Sequence, residues 1–91
     1  MQVKVERLSA QEATKRGVRD WPVWEKERSR FPWHYDQTEE CYVLEGKVIV
    51  ETEDGNVEFG AGAFVTFPKG LDCVWDIRKA VRKHYRFLEE G

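Results

Sequence analysis

The sequence predicts an all-β domain, a small sandwich or barrel, with one short helix near its N-terminus. Three observations predict it. Apolar residues recur with period two along most of the chain. Turn residues interrupt that alternation at intervals of roughly 8 to 12 residues. Only one stretch carries both a helix start and a helix stop.

Val3-Lys4-Val5-Glu6 alternates and reads as a short edge strand. Ser9-Ala10-Gln11-Glu12 has the form of a capping box, and Gly17 is a stop, so the spacing predicts a helix over 10–16. Strands are expected from there on. Residues 24–30 lead into Phe31-Pro32-Trp33-His34-Tyr35, where Phe31, Trp33 and Tyr35 share a face. Residues 39–44 form the next strand, and Glu45-Gly46 a turn. Residues 47–53 place Val48, Val50 and Thr52 together. Asp54-Gly55 is a hairpin signal, with Val57 and Phe59 returning opposite. Residues 63–67 are mostly apolar. Residues 72–77 put Cys73, Trp75 and Ile77 on one face. The charged stretch 78–82 reads as a turn, and 81–87 as the closing strand, with Val81, Tyr85 and Phe87 facing one way. The runs 39–44 and 63–67 are apolar on both faces. A second sheet, the N-terminal segment or another subunit must cover them.

At 91 residues the chain is expected to be one domain. Residues 1–20 supply the N-terminal strand and short helix, and 21–91 the barrel. The composition is 41% hydrophobic and 13% aromatic with four tryptophans, enough for a dense core and for aromatics lining a cavity or a subunit contact. Acidic and basic residues are interspersed and the net charge is −2, which argues against nucleic acid as a partner. Glu25-Lys26-Glu27-Arg28 alternates in sign and reads as a solvated face. No stretch reads as a signal peptide or a membrane span. Two cysteines, Cys41 and Cys73, do not make a disulfide framework, so reduced thiols in the cytoplasm are expected.

Gly62-Ala63-Phe64-Val65-Thr66-Phe67-Pro68-Lys69-Gly70 resembles the second motif of the cupins, matching its spacing from Gly62 to Pro68 to Gly70. Glu39, with the six residues before Gly46 in the following "ECYVLEG", resembles the end of the first motif. "WPVWE", "FPWHYD" and "VRKHY" are similar to small single-domain cupins of the ureidoglycine aminohydrolase-like group. The resemblance covers residues 21–87. It implies a small cupin jelly-roll barrel with a cavity open at one end, and homodimers as a frequent state. Tyr42 and Leu44 in the strand 41–44 need cover, and Trp21 and Trp24 could help such a contact.

The cupin pattern offers a metal His-x-His, a Glu and a further His. Here Trp33 and Tyr35 stand at the first two positions, Glu39 keeps the third, and Cys73 takes the fourth. Glu40 is the register alternative to Glu39. His34 points to the opposite face from Trp33 and Tyr35, and His84 lies between Arg82 and Arg86 on a polar face. Trp33 cannot ligate, and a protonated Tyr35 phenol is a poor ligand. The usual His-rich metal site is therefore not expected, and no cofactor beyond a low-occupancy divalent metal through Glu39 and Cys73. The expected function is binding of a small metabolite, with Trp33, Tyr35 and Trp75 as walls and Glu39 and Cys73 as polar handles. Two alternatives remain. One is a metal-dependent enzyme on a small nitrogen compound, like ureidoglycine aminohydrolase. The other is an interaction module whose cavity its own side chains fill. These residues do not decide whether the protein is an enzyme. Cys73, facing an apolar wall and a carboxylate, is expected to have a raised pKa and to be inert.

Overall fold

Two long strands organise the molecule. In the computed structural model, which describes residues 1–88, β4 (Thr38–Thr52) and β7 (Asp72–Leu88) run antiparallel over nearly their whole lengths. The other strands are β1 (Lys4–Arg7), β2 (Val23–Lys26), β3 (Ser29–His34), β5 (Gly55–Gly60) and β6 (Ala63–Phe67). Each half of the β4/β7 ribbon carries its own flanking strands. The first half of β4 pairs with β6, which pairs with β1, while the second half of β7 pairs with β2. The second half of β4 pairs with β5, and the first half of β7 with β3. The ribbon thus becomes two half-sheets, and the core lies between them. Phe67 of one half meets Phe59 and Trp75 of the other, with ring centroids 6.1 and 5.5 Å apart. This is the jelly-roll arrangement expected of an all-β chain with one short helix.

The bend falls at Gly46. The register between β4 and β7 shifts between Val43 and Val48. Gly46 has φ 109°, and a Cβ there would stand 2.5 Å from the Ala80 carbonyl oxygen. Only glycine tolerates both the backbone angle and the approach. From sequence, Glu45-Gly46 and the charged stretch 78–82 are expected to be turns that end strands. Both instead lie inside continuous strands, because their special residues serve a bulged bend rather than a reversal. The expected strand 24–30 is likewise two strands, β2 and β3, broken at Glu27-Arg28. Residues 89–91 of the expected barrel span 21–91 lie outside the described residues.

The N-terminal segment behaves as its capping box foretold. The helix α1 (Ala10–Lys15) begins with Ser9 Oγ accepting from Glu12 N, and the Glu12 carboxylate accepting from Ser9 N. Gly17 then takes φ 77°, and a 3₁₀ turn at Val18–Asp20, unexpected from sequence, leads into the barrel. Leu8, Ala13 and Val18 form a second small core with Phe64, and Trp21 and Tyr42 pack against it. This segment is what covers the outer face of β4 and β6.

Candidate functional site

The alternation of β7 puts Val81, Lys83 and Tyr85 on one face, next to Trp24 of β2, which pairs in register with Lys83. On β4 the same inward parity belongs to Glu39, Cys41 and Val43. Lys83 and Glu39 therefore meet. Lys83 Nζ donates to Glu39 Oε2 at 2.7 Å, and both side chains are buried, with exposures of 6% and 4%. The ammonium also stands 4.6 Å from the ring centre of Trp75, 5.0 Å from that of Trp24 and 5.9 Å from that of Tyr85. Three aromatic faces and one carboxylate form a cation cage around the protein's own lysine. A charge pair this deep persists only because each partner neutralises the other.

The network continues to Tyr35. Its hydroxyl hydrogen-bonds Glu39 and accepts from Trp75 Nε1 at 3.1 Å. Its ring stacks on Phe67 at 4.9 Å with the planes 8° apart. Burial first, then the Glu39 carboxylate, pushes the Tyr35 phenol far above its ordinary range. It remains a neutral donor.

These groups form the floor of a cavity of about 490 Å³. Its walls are Trp24, Phe31, Trp33, Trp75, Tyr85 and Phe87, and Lys26 stands with them. Phe31 stacks on Trp75, while Trp33, 49% exposed, meets Tyr35 edge to face. Lys26 Nζ lies 5.4 Å from the ring centre of Phe31. Against the single carboxylate of Glu39, Lys83 and Lys26 leave the cavity a surplus of one positive charge. A second concavity, of about 530 Å³, lies between Glu25, Glu45 and Arg82. It is shallower, and its charged side chains are exposed; Arg82 is already paired with Glu25 at 3.1 Å.

Of the residues singled out from sequence, Trp33, Tyr35, Glu39 and Trp75 come together around this cavity. Cys73 does not line it. It sits behind the wall, with Sγ donating to the Trp33 carbonyl at 3.6 Å. Glu40, the register alternative, pairs outside with Arg86 at 2.7 Å. His34 faces solvent between Asp72 and Asp36, at 2.6 and 3.5 Å. His84 is half-buried rather than solvated, donating to the Trp21 carbonyl at 2.9 Å. Sequence reading missed Lys83. The signal was present: Lys83 lies between Val81 and Tyr85 at the inward parity of the last strand, but it hides in the basic run Arg82-Lys83-His84.

The donor set does not fit a divalent ion. Trp33 offers no ligand atom, Tyr35 stays protonated, the Glu39 carboxylate is engaged by Lys83, and Cys73 is turned to a backbone carbonyl. Among the described residues no three His, Cys, Asp or Glu side chains converge in a way that could hold a metal. No described helix is long and apolar enough to cross a membrane.

A family model described as the EutQ-like cupin domain matches residues 13–85. A DUF861 family protein of Thermotoga maritima is 49% identical, with a TM-score of 0.91 over 96% of this chain and 100% of that one. The EutQ protein of Clostridium difficile is 20% identical, with a TM-score of 0.65 over 91% of this chain and 64% of that one. An ethanolamine utilization protein Q of Salmonella typhimurium is 22% identical, with a TM-score of 0.64 over 93% of this chain and 68% of that one. The last two likenesses speak for the fold. No protein of curated function matches the chain.

Proposed function

This chain belongs to the EutQ-like cupin family, and on that premise we propose that it binds a small planar metabolite bearing an oxygen acceptor, without a metal ion. The observation that carries the reading is the buried Lys83–Glu39 pair on the floor of an aromatic cavity. An ammonium supplies the positive charge beside the motif-one carboxylate that a metal supplies in His-rich cupins. Among the described residues Lys83 Nζ has one hydrogen-bond acceptor, Glu39 Oε2, so its other N–H bonds remain for a ligand oxygen. The aromatic walls suit a flat ring, and the positive surplus suits a carboxylate or carbonyl. Trp33, Tyr35 and Trp75 are the walls of this proposed site, and Lys83 joins Glu39 as its polar floor. Cys73 acts through the wall, by holding the backbone of Trp33.

A second reading is hydrolysis of a small nitrogen compound, as in the ureidoglycine aminohydrolase-like group. What favours it is Glu39, the carboxylate that the resemblance assigns to the metal. It is the weaker reading, because the ligands that chemistry would need are replaced by Trp33, Tyr35 and Cys73. The names of the EutQ neighbours carry no substrate to this chain.

The test uses 4-(hydroxymethyl)benzoate as a planar carboxylate probe, with binding read from tryptophan fluorescence. Saturable quenching that survives a chelator is expected, with less than one equivalent of transition metal by elemental analysis. Trp33→Ala, a change at the exposed rim, should weaken binding about tenfold, as the loss of one ring contact implies. Quenching that is absent, or that needs a restored divalent metal, overturns the reading.

A further inference from the structure

Lys83 has the position of a reactive amine as well as that of a binding group. It is a primary amine on the floor of a cavity, next to a carboxylate that can take its proton, with a phenol hydrogen-bonded to that same carboxylate. We propose that Lys83 forms an imine with a planar aldehyde or ketone bound in this cavity. This rests on the binding reading above and names its ligand class: an aromatic carbonyl compound.

The step balances within the residues present. Lys83 Nζ passes one proton to Glu39 Oε2, along the 2.7 Å hydrogen bond already in place. The freed lone pair attacks the carbonyl carbon; the C–N bond forms and the C=O π pair moves to oxygen. That oxygen takes one proton from Nζ and one from Glu39, and leaves as water as the C=N bond forms. Lysine ammonium and carbonyl compound become protonated imine and water, and Glu39 ends as the carboxylate it began as. The charge on nitrogen is the same before and after. The faces of Trp24, Trp75 and Tyr85 and the Glu39 carboxylate that hold the ammonium therefore also hold the iminium, with no rearrangement of charge. Surface lysines such as Lys47 and Lys79 are exposed and have no such cage. Lys26 at the rim lies where it would meet a carboxylate on the far end of the ligand.

The experiment incubates the intact protein with 4-carboxybenzaldehyde and cyanoborohydride, which reduces an imine to a stable amine, and maps the adduct by peptide mass spectrometry. In parallel, binding of 4-(hydroxymethyl)benzoate, which cannot condense, is followed by fluorescence. The expected result is one adduct per chain, at Lys83, formed at least tenfold faster than at Lys47 or Lys79. Lys83→Arg should abolish the fast adduct. Glu39→Gln, if its circular dichroism matches the parent, should slow it at least tenfold. If the alcohol binds but Lys83 labels no faster than the surface lysines, or Lys26 labels instead, the imine proposal is overturned and the binding reading stands. If neither probe engages the cavity, both are overturned.

Discussion

Cys73 stands where the cupin pattern has a metal ligand, yet it does not line the cavity, and its Sγ donates to the Trp33 carbonyl instead. Burial, then the charges of Asp72 and Glu39, pushes its thiol up to about 11. Cys41, wholly buried, is pushed up to about 12 by burial, with Lys83 opposing and Glu39 adding. Against an ordinary thiol near 9, a rise to 11 leaves roughly a hundredth of the usual thiolate at neutral pH. Iodoacetamide should therefore modify Cys73 at least 100-fold more slowly in the native chain than in denaturant, with the rate rising about tenfold per pH unit up to pH 11. A native rate equal to the denatured one at pH 7.5 would refute this. The linkage has a definite sign. Both thiols bind their protons more tightly when folded, so their contribution to stability is complete below about pH 9 and is lost as pH rises through 11 to 12. At this scale the sequence was readable where a motif pointed. Glu39 follows from its spacing to Gly46, and Trp33 and Tyr35 from their spacing to Glu39. Lys83 does not follow, because a motif built around histidines gives no reason to look for an amine.

Strands were legible as alternation, but their ends were not. Glycine beside charge is what a reversal looks like, and it is also what a bend in an unbroken strand looks like. The distinction lies in what approaches from the neighbouring strand, which one strand's sequence does not carry. At Gly46 that neighbour is the backbone of Ala80 and Val81, 2.5 and 2.7 Å from where a Cβ would be. Backbone on a facing strand cannot swing aside as a long side chain can. Gly46→Ala should therefore cost about 3 kcal/mol or more, from the strained angle and the clash together. Gly55 is the control. Its φ of 118° is similar, but nothing lies within 4 Å of its would-be Cβ, so Gly55→Ala carries the angular strain alone, about 1 kcal/mol. Urea denaturation of the two variants measures the difference, and equal losses would show that the contact at the bend is not what demands glycine. The bend also sets the site, because it folds Trp75, on one half of β7, over Lys83, on the other.

A barrel made of half-sheets must cover the outer faces of its long strands, and sequence left three candidates for the cover. The chain's own first twenty residues supply it. Phe64 and Tyr42, on the outer faces of β6 and β4, pack against Leu8, Ala13, Val18 and Trp21. Arg16 lies 4.7 Å over the Phe64 ring, and β1 pairs with the free edge of β6 from Lys4 to Arg7. Within one chain, the N-terminal segment thus packs against Tyr42 and Phe64. Removal of residues 1–20 tests this. It would strip the cover from a buried phenylalanine and uncover a strand edge at the same time, which are the two features that invite association. It would also remove the burial of Leu8 and Val18, about 1.5–3 kcal/mol for each such side chain. The truncated chain should melt several degrees lower than the full chain, bind an apolar dye, and form larger particles by light scattering as its concentration rises. The cavity faces the opposite side of β4, so the Lys83–Glu39 pair should survive wherever the truncated chain stays folded. Particles of unchanged size and an unchanged melting point would mean that the N-terminal segment is an ornament, and that the outer face of β4 and β6 finds its cover from another source.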